Sequence, residues 1–150
     1  MANYSKEITH MMDRLYVKLL SQDRNGLYKE TIYPKLNLME FLMIKKIGEA
    51  GTIRLNKLID LMEVDRNLVT TTVKKLSTLR LLKKNPDVLD GRIQCISLLP
   101  EGDVLYNRIL EIQKEEIDFV LNEITVNEEK AVLKFISKIV QFHTDKYEIK

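Results

Sequence analysis

The stretch Val64–Lys84, VDRNLVTTTVKKLSTLRLLKK, decides the fold that this sequence predicts. From Arg66 onward it holds six basic residues and no acidic one. Asp65 stands just before this run and is predicted to cap a helix, because its carboxylate can accept hydrogen bonds from the first free N–H groups. Apolar residues then recur at helical spacing, at Val69, Val73, Leu76 and Leu79. The stretch is therefore predicted to form an amphipathic helix in basic surroundings.

The opposite face of this helix carries short polar and cationic side chains, namely Asn67, Thr70, Thr71, Lys74 and Ser77. A helix that enters a DNA major groove needs this mixture, since small polar groups hydrogen-bond to base edges and cations bind phosphates. We therefore expect Asn67, Thr70, Thr71 and Lys74 near base edges. Phosphate contacts are expected from Arg66, Lys75, Arg54 and Asn56.

The flanking segments complete a DNA-binding unit. Upstream, a short apolar stripe (Leu55, Leu58, Ile59 and Met62) predicts a second helix, and a tight connection joins it to the central one. This is the order of elements in a helix-turn-helix. Downstream, Leu81-Leu82 and residues 93–98 are strand-like and enclose the polar loop 86–92, which is typical of a wing. Arg92 is expected to reach the DNA backbone or the minor groove, with Asp90 orienting it through a charge-assisted hydrogen bond.

These residues resemble the MarR family of winged-helix transcription regulators. The resemblance covers about residues 37–106 and is carried by the helix-turn-helix, the Asp90-Gly91-Arg92 wing signature and the junction Ile96–Gly102. The sequence departs from the family at Glu63 and Arg80, where glycine is often found, and at Leu99, where threonine is usual.

The resemblance implies a homodimer that represses nearby genes until a small-molecule inducer changes the spacing of its two DNA-binding lobes. The first helix joins the C-terminal helices at the dimer interface of that family, and the inducer pocket lies between the dimer helices and the winged helix. Residues proposed to line such a pocket here are Tyr16, Tyr33, Phe41 and Met43.

The rest of the chain supplies long helices. Residues 4–22 are predicted to form an amphipathic helix whose apolar stripe packs against a second subunit or within the monomer. Asn37 with Glu40, and Thr125 with Glu128, are predicted capping boxes. Pro100 begins a helix of about 25 residues. We therefore divide the chain into a dimerisation helix (1–34), a winged helix-turn-helix lobe (35–99) and C-terminal dimerisation helices (100–150).

Charge and composition narrow the function further. Residues 35–95 carry twelve basic and seven acidic residues, whereas residues 101–130 carry nine acidic and three basic ones. One cysteine, Cys95, and two histidines give no metal-ligand spacing and no nucleophile pattern, so neither a metal, a cofactor nor an enzyme is expected. Cys95 is interpreted as a small strand residue, with a reactive thiol as the alternative. The absence of disulfides, of a signal peptide and of a long apolar run predicts a cytoplasmic protein without a membrane span.

The sequence thus predicts a mainly α fold, a winged helix-turn-helix with a small antiparallel β wing and dimerisation helices at both ends. Its expected function is that of a DNA-binding transcriptional regulator on a palindromic operator. The alternative is a dimeric winged-helix module that binds proteins and no DNA. The six unopposed cations on the central stretch favour the regulator.

Overall fold

The computed structural model describes residues 3–147, with side chains as far as residue 145. Its elements in chain order are α1 (Ser5–Asn25), α2 (Leu38–Ala50), β1 (Thr52–Arg54), α3 (Leu55–Met62), α4 (Arg66–Thr78), β2 (Leu82–Pro86), β3 (Gln94–Leu98), α5 (Pro100–Val120) and α6 (Val126–Tyr147). The chain divides into two compact units between Glu111 and Ile112. The predicted fold class, mainly α with a small antiparallel sheet, is confirmed.

The sheet has the strand order β1-β3-β2, with both neighbouring pairs antiparallel. Ile96 lies in the central strand, opposite Ile53 on one side and Lys84 on the other, and is fully buried. Buried apolar residues from α2, α3, α4 and the start of α5 pack with it, among them Ile44, Ile47, Leu58, Val73, Leu76, Leu105 and Ile109. This core fixes α3, α4 and the sheet relative to one another, as a winged helix requires.

Side-chain caps begin three of the helices at the predicted positions. Asn37 and Glu40 form both hydrogen bonds of a capping box at α2, and Thr125 and Glu128 do so at α6. The Asp65 carboxylate accepts from the backbone N–H of Leu68 at 2.9 Å and starts α4. These predictions are confirmed because capping depends on residues three positions apart.

The two positions where the MarR family often has glycine have left-handed backbone here. Glu63 ends α3 with φ 54° and Arg80 follows α4 with φ 61°. Residues with a Cβ occupy this region at a cost, so glycine would be easier at both turns. The turns nevertheless keep the geometry that a helix-turn-helix needs.

Three sequence-based boundaries differ from the structure. The apolar spacing predicts Leu79 on the buried stripe of α4, but Leu79 follows the last turn and is 40% exposed. Strand β2 extends to Pro86, because its pairing with β3 continues through Asn85 opposite Cys95. Helix α5 ends at Val120, since the chain turns at Glu123 with φ 65°, so it is shorter than predicted. No helix among the described residues is long and apolar enough to cross a membrane.

Candidate nucleic-acid interface

Helix α4 presents a polar face because its apolar face is fixed in the core. Val69, Val73 and Leu76 are at most 2% exposed. On the other side, Asn67, Thr71 and Lys74 are exposed. Thr70 is half-buried and donates its hydroxyl to the backbone oxygen of Asn67 at 3.1 Å, so its oxygen is left as the outward acceptor. The structure therefore brings the four residues predicted to meet base edges onto one helix.

The first turns of α3 and α4 meet through two predicted phosphate-binding residues. A guanidinium N–H of Arg66 donates to the Asn56 side-chain oxygen at 3.3 Å. Both side chains are exposed. Arg54, also exposed, stands immediately before α3 and contacts Asp87 of the wing at 3.5 Å. Three of the expected phosphate contacts thus lie around the beginning of the helix-turn-helix.

Lys75 has a charged partner within the protein. Its ammonium lies 2.5 Å from a carboxylate oxygen of Glu40, whose side chain is only 3% exposed. The other Glu40 oxygen accepts from the backbone N–H of Asn37 at 2.9 Å. A buried carboxylate needs such a charged partner. In the structure Lys75 pairs with this carboxylate and ties α4 to the beginning of α2, and its contact with phosphate stays a prediction.

The wing arginine is held as predicted. The Arg92 guanidinium donates to both carboxylate oxygens of Asp90 at 3.1 Å, and the Arg92 backbone N–H donates to one of them at 3.0 Å. The Arg92 side chain is 91% exposed. Its hydrogen bonds lower the pKa of Asp90, so the carboxylate stays charged around neutral pH. The pair presents a fixed cation at the far edge of the wing.

Cys95 lies at the base of the wing and is buried. Its thiol donates to a carboxylate oxygen of Asp87 at 3.3 Å. Burial raises the pKa of Cys95, and the neighbouring Asp87 raises it further. Because the thiolate is the reactive form of cysteine, this environment supports the interpretation of Cys95 as an unreactive strand residue.

The four residues proposed to line an inducer pocket are not brought together. Phe41 and Met43 are at most 2% exposed and belong to the packed core, whereas Tyr33 is 93% and Tyr16 is 50% exposed. Their burial favours a core role for Phe41 and Met43, and the inducer contacts stay a prediction. Tyr33 does border a groove of about 450 Å³, which it shares with Pro34, Leu79, Leu81, Glu101 and Val104.

Two carboxylates that organise this surface are not evident from the sequence. The sequence predicts Glu40 only as part of a capping box, and Asp87 only as part of a polar loop. Their further partners, Lys75 and Arg54, lie far along the chain. No local spacing in the sequence predicts such contacts. A Pro-Asp pair after a strand does, however, indicate a turn in which the aspartate binds backbone N–H groups.

Helix α4 packs its apolar face in the core and exposes its polar face. It is preceded by a second helix and followed by a wing with an exposed arginine. This arrangement defines a winged helix-turn-helix protein. No protein-family profile matches the chain. One curated relative is the HTH-type transcriptional repressor MdtR of Bacillus subtilis (strain 168), 20% identical over 135 residues, which cover 90% of this chain and 84% of that protein.

Solved structures share this fold. Streptococcus pneumoniae FabT in complex with DNA superposes with a TM-score of 0.81 at 16% identity, over 95% of this chain and 99% of that one. A mutant of E. coli MarR complexed with operator DNA superposes with a TM-score of 0.67 at 17% identity, over 92% and 99% of the two chains. The chain therefore has the fold of the MarR family of winged-helix regulators.

Proposed function

We propose that this protein is a transcriptional regulator that binds double-stranded DNA as a homodimer. The observation that carries the proposal is the outward face of α4, polar and uncharged or cationic, in a stretch from Arg66 to Lys84 with six basic and no acidic residues. A duplex is a polyanion, and cations supply a large share of the affinity for it. Of the six here, Lys75 is paired with Glu40. The similarity to a repressor and to DNA-bound proteins of the same fold supports the proposal.

Each contact has a separate role in this proposal. Asn67, Thr70, Thr71 and Lys74 read base edges in the major groove, and Arg66, Arg54 and Asn56 hold phosphates beside it. Arg92 extends from the wing to the backbone or the minor groove. Two copies related by a two-fold axis place their α4 helices about one helical turn (roughly 10 bp) apart, so the operator is a near-palindrome.

Helices α1 and α6 supply the reason for a second subunit. No described side chain of α1 is buried, although Ile8, Met11, Leu15, Leu19 and Leu20 are all large and apolar. In α6, Val132, Leu133, Phe135, Ile136 and Val140 are likewise exposed. Apolar surface of this extent is typical of an interface between subunits. We therefore assign dimerisation to residues 1–34 and 100–150, and DNA binding to residues 35–99.

Changing Leu15 to glutamate should weaken the dimer at least about tenfold, because a carboxylate would be buried without a partner in each subunit. Sedimentation equilibrium at several protein concentrations measures the dissociation constant. Lys6→Glu is the matched control, since residues nine positions apart lie on opposite faces of a helix. A wild-type protein that is monomeric at micromolar concentration would contradict the proposal.

Regulation by a small molecule belongs to the same proposal. The groove beside Tyr33 touches Leu79, directly after α4, and Leu81, directly before β2. A ligand bound there would press on both the recognition helix and the wing. Its lining of apolar side chains and one carboxylate, Glu101, suits an aromatic or apolar molecule with a donor group. Repression relieved by such an inducer is the regulatory mode that we propose.

Selection from a random duplex library with the purified protein tests the proposed function. We expect enrichment of a site with two related half-sites, centred about 10 bp apart. A protein that retains no duplex above background at low salt, where electrostatic binding is strongest, would contradict the proposal and favour a protein-binding module.

A further inference from the structure

The wing loop is held from within by a carboxylate that takes no part in the proposed DNA contacts. The Asp87 side chain is 14% exposed and directly follows β2. One of its oxygens accepts from the backbone N–H groups of Leu89 at 3.1 Å and Asp90 at 3.2 Å. The same oxygen lies 3.5 Å from the Arg54 guanidinium, and the other accepts from the Cys95 thiol at 3.3 Å. One side chain thus joins the loop to β1 and β3.

A second carboxylate continues this chain of contacts outward. Asp90, whose backbone N–H is held by Asp87, binds the Arg92 guanidinium through both oxygens. Because the Arg92 side chain is 91% exposed, the packing of the protein does little to fix it. Long exposed side chains sample many rotamers, and restricting them before binding removes part of the entropy cost of a contact.

We propose that Asp87 is the positioning residue of the wing: it fixes the loop that fixes Asp90, and so presents Arg92 to duplex DNA. The inference rests on the proposed function. The hydrogen bond from the Cys95 thiol is the main reason that the pKa of Asp87 lies below its usual value, with further lowering by the Leu89 and Asp90 backbone N–H groups and by Arg54, while burial opposes the shift. The carboxylate is therefore charged around neutral pH, the form that accepts all of these contacts.

The direction in which one substitution changes the affinity for DNA separates a positioning role from a simple effect of charge. Asp87→Asn removes a negative charge from the proposed DNA side of the protein, so electrostatics alone would tighten binding. It also weakens the hold on the loop, because the neutral amide keeps a single oxygen, which accepts less strongly than a carboxylate, and loses the charge that attracts Arg54. Positioning therefore requires the opposite result, weaker binding. Asp103→Asn, at an exposed position in the first turn of α5, controls for the change in net charge.

The experiment measures affinity for the selected duplex at one salt concentration for wild type, Asp87→Asn, Arg92→Ala and the double variant. Arg92→Ala should weaken binding roughly tenfold, and Asp87→Asn roughly threefold to tenfold in the wild-type background. In the double variant Asp87→Asn should add a much smaller loss, because Arg92 is absent and only Arg54, which Asp87 also contacts, remains to be affected. Hydrogen exchange at the Leu89 and Asp90 amides should accelerate in Asp87→Asn. Should that variant not fold, Asp87→Ser keeps a hydroxyl acceptor for the loop and carries the same expectations.

Three results would overturn the inference. Asp87→Asn could bind as tightly as wild type while Arg92→Ala binds more weakly. Asp87→Asn could lose the same affinity in the wild-type and Arg92→Ala backgrounds, or Arg92→Ala could lose no affinity. Failure of the wild-type protein to bind any duplex would instead overturn the proposed function itself. The two failures are therefore distinguishable within one set of titrations.

Discussion

Gly102→Ala is expected to destabilise the protein by at least about 3 kcal/mol, which corresponds to a fall in the thermal midpoint of roughly 10 °C. A Cβ on Gly102 would overlap the backbone carbonyl oxygen of Leu81. That oxygen accepts from the Leu99 N–H at 2.9 Å, so it cannot withdraw without breaking the contact between the ends of β2 and β3. The junction between the wing and α5 therefore depends on a residue without a side chain.

The sign of this effect is diagnostic. Alanine is favoured over glycine inside a helix by about 1 kcal/mol, so propensity alone would stabilise the variant. Gly91→Ala is the control, because a Cβ at that position of the wing loop meets no atom within 4 Å. Chemical denaturation of the two variants measures the free energy of unfolding. Equal stability of Gly102→Ala and wild type would show that the packing at this junction is looser than described.

Lys75→Ala is expected to lower the free energy of unfolding by about 1–3 kcal/mol, because it leaves the buried Glu40 carboxylate without its cation. This loss is smaller than for a fully buried ion pair, because the Lys75 side chain is 57% exposed and water partly screens the pair. Affinity for DNA should fall only as far as α4 is displaced when its contact with α2 is lost.

The neighbouring residue provides the matched control. Lys74 is exposed on the polar face of α4, so Lys74→Ala should change stability by no more than about 0.5 kcal/mol while weakening DNA binding. In a Glu40→Gln background, Lys75→Ala should cost much less than in the wild type. If Lys75→Ala instead left stability unchanged and weakened DNA binding as Lys74→Ala does, the sequence-based assignment to phosphate would be correct.

Local signals explain what could be predicted. The caps at Asn37, Asp65 and Thr125 lie within three residues of the N–H groups that they bind, so residue types and spacing suffice to place the helix starts. The Asp90–Arg92 pair is also local, at two residues' separation. Alternation of apolar residues in β3 placed Ile96 in the core, and the helical period of α4 placed Val69, Val73 and Leu76 there.

Contacts between distant segments explain what could not be predicted. Lys75 has the composition and setting of a phosphate-binding residue, and only the position of α2 reveals that Glu40 is its partner. Phe41 and Met43 have the same helical spacing whether they line a ligand pocket or fill a core, because periodicity identifies the inward face and not its contents. Asp87 gains its role from Arg54 and Cys95, which reach it through the pairing of β1, β3 and β2.

The central claim is that α4 reads DNA with its polar face, and a salt titration tests it most directly. Affinities for the selected duplex and a scrambled duplex are measured over a range of salt for wild type, Thr71→Ala and Arg66→Ala. Thr71→Ala should cost on the order of 1 kcal/mol on the selected duplex, little on the scrambled one, and leave the slope of log affinity against log salt unchanged. Arg66→Ala should weaken both duplexes and flatten that slope by about one unit for each subunit. If both variants bind both duplexes as wild type does at every salt concentration, α4 is not the surface that contacts DNA.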